Sequence, residues 1–230
     1  MRISLRFALL LSVIPVLLAA TDKLQDALTA LASKDISSYE KAVEFLTKHP
    51  QEAEPRLRAL FQNNHEPPLA RLRAAKLLGD LADREAIDDM KKTLFSGSES
   101  NAAVRVEIIR SLSKLGCSEI ILAYLDSGRE DSASATAAIA LALQGRTDDK
   151  SKEALSHLLR NDDRRVFRAA AFAISKTYAG KNGSGDKVEP TAGDRAIFEA
   201  LKLKEADKDT ATSQTASALL KQLSQAYKQP

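Results

Sequence analysis

Apolar residues recur along most of the chain at the spacing of an α-helix. In one clear segment they fall at Val104, Ile108, Leu112 and Leu115, with mostly polar residues between them. A helix places residues with this spacing on one stripe of its surface, whereas a half-buried strand requires strict alternation. The pattern therefore predicts an all-α fold.

Four segments with this pattern superimpose on a single apolar position, which is occupied by Leu78, Leu112, Leu141 and Ile174. These positions are 34, 29 and 33 residues apart, in the range of one helix-turn-helix unit per repeat. After a short break, each segment is followed by a second apolar-periodic segment; these start at Arg84, Ser118, Ser151 and Asp194. Such short connections predict antiparallel helical hairpins.

Weaker copies flank the four regular ones. Residues 36–63 predict one more divergent hairpin, preceded by a short helix near residues 22–32, and residues 210–229 predict a closing helix with a polar outer face. A single hairpin cannot bury enough apolar surface alone, so neighbouring hairpins must stack. We therefore expect one α-α superhelix, a solenoid of about five to six units, as a single domain over residues 21–230.

The most regular copies have a recognisable pattern of apolar, basic and small residues. It resembles the short bacterial HEAT repeat, in one copy at Ala70, Arg71, Ala74, Ala75, Leu78, Gly79 and Leu81, and in the next at Val104, Arg105, Leu112, Leu115 and Gly116. The resemblance is clearest over residues 66–178. The third and fourth copies depart from it, because they have Ser134 and Phe167 where the family usually has arginine.

The HEAT resemblance also implies where a partner binds. In similar arrays the second helix of each hairpin lines the concave side. This arrangement implies that polar residues of the second helices form a partner-binding surface. These residues are Asp88, Asp89, Lys92, Glu153, His157 and Glu199.

The N-terminal residues have the pattern of a secretory signal peptide. Arg2 and Arg6 precede an apolar run of 12 residues from Phe7, and small residues follow at Ala19 and Ala20. A membrane anchor needs about 20 apolar residues, so this run is short for one. We expect cleavage after residue 20, leaving no stable membrane span, and a periplasmic or secreted protein.

Charge and cysteine content narrow the function further. Cleavage removes two of 34 basic residues and none of 31 acidic ones, so the net charge becomes 32 − 31, or +1. This balance and the predicted export argue against a nucleic-acid partner. Cys117 is the only cysteine and cannot form an intramolecular disulfide; we interpret it as a small side chain near a helix end, with a reactive or intermolecular thiol as the alternative.

No catalytic, metal or cofactor site is predicted. The histidines, His49, His65 and His157, are too far apart for a zinc-binding motif and are expected at the surface or in turns. No G-x-S-x-G motif is present, and the glycine-rich Gly180 to Pro190 stretch lacks the phosphate-loop pattern and is expected to connect two helices. Helix capping accounts for the acidic residues Asp148, Asp149, Asp162 and Asp163.

The densest basic cluster runs from Arg160 to Arg168 and contains four arginines and two aspartates. We expect these arginines to form ion pairs at helix ends, and Arg71 or Arg105 to bond to an acid of the adjacent unit; an anion-binding patch is the alternative. Arg165, Arg168 and Lys176 are expected to point to solvent.

These features favour a non-enzymatic scaffold or adaptor of the cell envelope that binds protein partners, either as a monomer or within an envelope complex. The HEAT resemblance leaves a second class of function open. Some proteins with similar repeats are lyases or chaperones for bilin chromophores, and others repair alkylated bases. Both act on intracellular ligands, which argues against them for an exported protein.

Overall fold

The computed structural model describes residues 22–97, 99–129, 131–179 and 189–227. Within these ranges the chain forms twelve α-helices and no strand, which confirms the predicted all-α fold. The predicted signal peptide (residues 1–20) and most of the Gly180 to Pro190 stretch lie outside the described residues. The helices are α1 (residues 22–30), α2 (Ile36–Lys48), α3 (Pro50–Gln62), α4 (Pro68–Asp80), α5 (Ala86–Phe95), α6 (Ala102–Lys114), α7 (Ser118–Asp126), α8 (Ser132–Leu143), α9 (Asp149–Leu159), α10 (Arg164–Thr177), α11 (Ala192–Glu205) and α12 (Thr210–Ala226).

Short polar side chains begin most of these helices. Asp148 and Asp163 are the N-caps of α9 and α10 and accept hydrogen bonds from first-turn backbone N–H groups, as predicted. Asp149 lies in the first turn of α9, where a carboxylate interacts favourably with the helix dipole. The capping prediction is wrong for Asp162, which precedes the cap residue, is fully exposed and lies 3.0 Å from Lys204 Nζ.

The regular copies end in the same turn. Gly116 and Gly145, which follow α6 and α8, have φ angles of +76° and +70°. The next backbone N–H reaches back to the carbonyl of Leu112 or Leu141, at 2.9 and 3.1 Å, as in a Schellman motif. After α4, Asp83 makes the equivalent bond to Leu78, but the left-handed position is occupied by Ala82 with a φ of +59°. The repeat register therefore aligns Gly116 with Ala82 rather than with Gly79.

Replacing Ala82 by glycine should stabilise the protein. The left-handed conformation costs an L-residue about 1–2 kcal/mol, and the greater freedom of glycine in the unfolded chain offsets about 0.4–1 kcal/mol of that gain. We expect the free energy of unfolding in urea to rise by up to about 1 kcal/mol. Gly116→Ala is the reciprocal control: beyond the two adjacent residues no atom lies within 4 Å of the added Cβ, so only the backbone cost is introduced and stability should fall. A loss of stability in Ala82→Gly would show that this turn is not strained.

The chain divides into two compact units, residues 1–89 and 90–230, and α5 begins in the first and ends in the second. In the first unit, α3 packs against α2 and α4 around fully buried side chains such as Leu57 and Phe61. Arg73 of α4 donates hydrogen bonds to the carbonyls of Leu31 and Ser33, at 3.0 and 2.6 Å. Arg73 therefore attaches the loop that joins α1 and α2 to the side of α4.

In the second unit, the helices form two layers. The first helices α6, α8, α10 and α12 pack each against the next, and the second helices α7, α9 and α11 do the same. Fully buried small residues such as Ala137 and Ala170 lie within the first-helix layer, and small side chains allow helix axes to approach closely. This arrangement confirms the predicted stacking of helical hairpins.

Candidate functional site

The residues predicted to bind a partner on α5 lie in its first two turns. Asp88 and Lys92 are exposed, and Asp89 is half-buried. Asp88 and Asp89 belong to the first unit and Lys92 to the second.

On α9 and α11, the structure brings three predicted residues together. Glu153 and His157 are exposed one turn apart on α9, and Arg160 continues the same stripe at the end of that helix. The guanidinium of Arg160 lies 3.9 Å from the carboxylate of Glu199 on α11. Since α9 and α11 pack side by side, Glu153, His157 and Glu199 lie on one exposed surface.

The same surface extends along the layer of second helices. Its exposed charged and polar residues, which we name the second-helix face, are Glu119 and Asp126 on α7, Glu153, His157 and Arg160 on α9, and Arg195, Glu199 and Lys202 on α11. On each helix these residues are separated by three, four or seven positions, so they form one stripe per helix. The α7 stripe is acidic, whereas the α11 stripe has two basic residues and one acid. The face therefore has an uneven charge distribution.

Ion pairs between neighbouring hairpins support this face. Arg146, before α9, lies 2.5 Å from Glu119 at the start of α7 and 2.7 Å from Asp148, the cap of α9. The hydrogen bond from Arg146 holds the pKa of Asp148 well below its usual range, although partial burial opposes this. The ion pairs fix α9 relative to α7.

A second arginine joins hairpins within the first-helix layer. Arg105 of α6 lies 3.1 Å from Asp131, the N-cap of α8, which confirms the predicted bond to an acid of the adjacent unit. Tyr124 donates a hydrogen bond to the same carboxylate at 3.1 Å. For Arg71, the hydrogen bond that the structure shows differs from the predicted one. Its guanidinium donates to the backbone carbonyl of Phe61, on the preceding helix, at 3.0 Å.

A buried charged cluster, which the sequence did not predict, ties α9 to α11. Lys152 Nζ lies 2.9 Å from Asp194 Oδ1, and both side chains are at most 5% exposed. The hydroxyl of Tyr178 donates to the same carboxylate. Asp194 also forms a capping box with Thr191 at the start of α11. The T-x-x-D spacing was a readable signal for that box, but nothing in the local pattern marked Lys152 as buried.

The cluster shifts two pKa values in opposite directions. Burial would raise the pKa of Asp194, but hydrogen bonds from Tyr178 and Lys152 outweigh it and hold the pKa below its ordinary value. Burial, assisted by the adjacent carboxylate, raises the pKa of Tyr178 far above its usual range. Asp194 is therefore ionised and Tyr178 protonated at neutral pH, which suits a structural anchor.

An open groove of about 550 Å³ lies between α10 and α12. We name it the α10–α12 groove; its walls include Arg168, Phe172 and Ser175 on one side and Gln214, Ala218 and Gln222 on the other. Phe172 remains 42% exposed, which is unusual for a phenylalanine in a packed layer. The sequence predicted the exposure of Arg168 but not the groove.

The arginine cluster that includes Arg168 is mostly paired. Arg160, Arg164 and Arg165 lie within 4 Å of Glu199, Asp209 and Asp163, respectively, which confirms the predicted ion pairing for these three. Arg168 makes no ion pair among the described residues. It is exposed on the rim of the α10–α12 groove.

Across the described ranges, no group of three His, Cys, Asp or Glu side chains is placed to hold a metal ion. The three histidines are exposed, as predicted. Cys117 is half-buried at the N-cap of α7, in agreement with its predicted place at a helix end. None of the described helices combines the length and hydrophobicity needed to cross a membrane.

Neither a protein-family model nor a curated protein matches this sequence. Among solved structures, a designed armadillo repeat protein in complex with a (KR)4 peptide is similar, with a TM-score of 0.51, 16% identity and coverage of 87% of this chain and 99% of that one. A second designed armadillo repeat protein has a TM-score of 0.46 and 15% identity, with 87% and 99% covered. An engineered protein has a TM-score of 0.46 and 20% identity, with 89% and 97% covered.

At these identities the similarity concerns the fold alone, and the HEAT assignment stays a prediction. The chain has the all-α solenoid fold of a helical repeat protein, in which stacked helices present extended surfaces.

Proposed function

We propose that this chain is a non-enzymatic scaffold or adaptor that binds a protein partner through the second-helix face. The observation that carries this proposal is the row of exposed charged stripes on α7, α9 and α11, three helices that pack side by side. An extended surface of this kind is how helical repeat arrays contact their partners.

The uneven charge on the face supports a specific partner. The α7 stripe consists of Asp126 and of Glu119, which pairs with Arg146, while Arg195 and Lys202 flank Glu199 on α11. Complementary charges on a partner would set its orientation and exclude partners with the opposite arrangement. The supporting ion pairs lower the cost of binding, because little backbone ordering remains to be done when the partner arrives.

The similarity to the peptide-bound designed armadillo protein is compatible with this function but does not identify the partner. That protein is in complex with a strongly basic peptide. For the present chain, the proposal is a protein partner in the cell envelope, bound by a monomer or within a larger complex. The envelope location stays a prediction from residues 1–20, which N-terminal sequencing of the exported protein checks.

The double substitution Glu153→Lys with Glu199→Lys should weaken partner capture by about tenfold or more, because it reverses one charge on each of two adjacent helices of the face. Both side chains are exposed, so the free energy of unfolding should change by less than about 0.5 kcal/mol per substitution. The two quantities are measured by quantitative capture from the envelope fraction and by urea unfolding.

The matched control is Asp26→Lys with Glu40→Lys, which makes the same charge change at two exposed positions on α1 and α2, outside the second helices. This control should capture the partner as the wild type does. Unchanged capture by the first pair, together with loss of capture in the control pair, would place the binding surface elsewhere.

A further inference from the structure

The two helices that flank the α10–α12 groove have an unusual charge composition. Neither Arg164–Thr177 nor Thr210–Ala226 contains an aspartate or a glutamate, whereas together they contain five basic residues, Arg164, Arg165, Arg168, Lys176 and Lys221. The acids closest to the groove in sequence are the N-caps Asp163 and Asp209. Four of these cations belong to α10, whereas Lys221 of α12 lies with Phe198 and Glu205 outside the groove, so the positive charge beside the groove comes from α10.

The N-cap acids do not neutralise the middle of the groove. Asp163 pairs with Arg165 at 2.7 Å, and Asp209 lies 3.3 Å from Arg164. Arg168 lies about one helical turn after Arg165 on α10, and Lys176 lies about three turns after it. Both side chains are exposed. No carboxylate within the described ranges forms an ion pair with either of them, so their charges remain available to an anionic ligand.

The groove also offers apolar and hydrogen-bonding contacts. Lys176 Nζ lies 5.7 Å from the centre of the Phe172 ring, so the exposed aromatic surface sits beside a cation. The wall formed by α12 presents the amides of Gln214 and Gln222 beside the small side chain of Ala218. A side-chain amide can donate to a main-chain carbonyl and accept from a main-chain N–H.

We propose that the α10–α12 groove binds an acidic peptide segment of a partner protein, separately from the second-helix face. An apolar side chain of the peptide packs on Phe172, its carboxylates pair with Arg168 and Lys176, and its main chain bonds to Gln214 and Gln222. Charge complementarity selects an acidic segment, and the exposed ring with its adjacent amides favours a peptide over a polyanion. Affinity for nucleic acid comes from many phosphate contacts, whereas this groove has one cation in its lining, Arg168, and a second, Lys176, beside the Phe172 ring.

The test measures binding of a fluorescein-labelled peptide of Glu-Glu-Leu repeats to the full chain by fluorescence anisotropy. We expect binding that weakens by about tenfold or more in Arg168→Glu and in Ala218→Glu, because each places a carboxylate on one wall of the groove. Phe172→Ala should weaken it as well. Lys150→Glu is the matched control, since it reverses an exposed charge on α9 in the other helix layer and should bind as the wild type.

Two further probes separate the proposed ligand from other anions. Replacing leucine by serine in the peptide should weaken binding, and replacing glutamate by lysine should abolish it. The proposal fails if Arg168→Glu and Ala218→Glu bind the acidic peptide as the wild type does, or if the serine peptide binds equally well. It also fails if single-stranded oligothymidylate binds more tightly than the peptide and loses affinity in the same variants.

Discussion

Replacing Asp194 by alanine should lower the free energy of unfolding by about 3–5 kcal/mol, because it removes the closest carboxylate of the buried Lys152 ammonium. The remaining carboxylate, that of Asp149, is 3.7 Å away and about half-exposed. Lys152 and Asp194 are 2.9 Å apart and almost fully excluded from solvent. The substitution also removes the acceptor for the Tyr178 hydroxyl and one side of the capping box with Thr191. Urea unfolding of the variant and the wild type measures the effect.

Asp162→Ala is the control for this prediction. Asp162 also pairs with a lysine, Lys204, at 3.0 Å, but its own side chain is fully exposed and Lys204 keeps a second partner in Asp207. Solvent screens a carboxylate that is fully exposed, and pairs of exposed charges contribute about 0–1 kcal/mol, so the loss of Asp162 should be small even though Lys204 itself is buried. Similar losses in Asp162→Ala and Asp194→Ala would show that the buried pair has no special role.

The pH dependence of stability provides an independent readout of Asp194. Its pKa is lower in the folded state, so the folded protein binds a proton less readily than the unfolded chain does. Its contribution is therefore complete above the unfolded pKa of about 3.9 and is lost as the pH falls through the lower, folded pKa. Wild-type stability should decline below about pH 4, and Asp194→Ala should decline less steeply.

Leu112→Ala and Ile174→Ala should each cost about 2–5 kcal/mol of unfolding free energy. Leu112 lies on α6 and Ile174 on α10, and both side chains are completely buried. Each helix packs against α8, so truncation leaves a cavity within the first-helix layer that rigid neighbouring helices fill only partly. Urea unfolding measures both losses.

Leu143→Ala provides the matched control because Leu143, at the end of α8, is 70% exposed. Its truncation removes the same atoms as Leu112→Ala without opening a cavity, so the change should stay within about 0.5 kcal/mol. Equal effects at the buried and exposed leucines would contradict the packing of α6 and α10 against α8.

The helical repeat could be predicted from the sequence because its signal is periodic. Leu78, Leu112, Leu141 and Ile174 are fully buried at equivalent positions of successive first helices, where the stack requires apolar side chains. The position of the left-handed turn that ends α4 was less predictable. Gly79 follows the aligned leucine directly, yet the left-handed turn is made by Ala82, since turn position depends on where the helix ends and not on which residue is glycine.

The candidate sites were less accessible to sequence analysis because they depend on which helices become neighbours. A lysine in an amphipathic segment is usually exposed, and Lys152 is buried only because Asp194, 42 residues later, packs against it. The absence of acids from α10 and α12 is readable in the sequence, but the groove appears only when the two helices are placed side by side. The exposed stripe of α9 was predictable, since Glu153 and His157 lie opposite an apolar face.

The most direct test of protein binding through the second-helix face is site-specific photo-crosslinking in the envelope fraction. A benzophenone side chain replaces either His157, on the face, or Arg110, an exposed residue of α6 in the first-helix layer. The proposal predicts a discrete crosslinked protein from position 157 and none from position 110. A crosslink at position 110 without one at position 157 would contradict it.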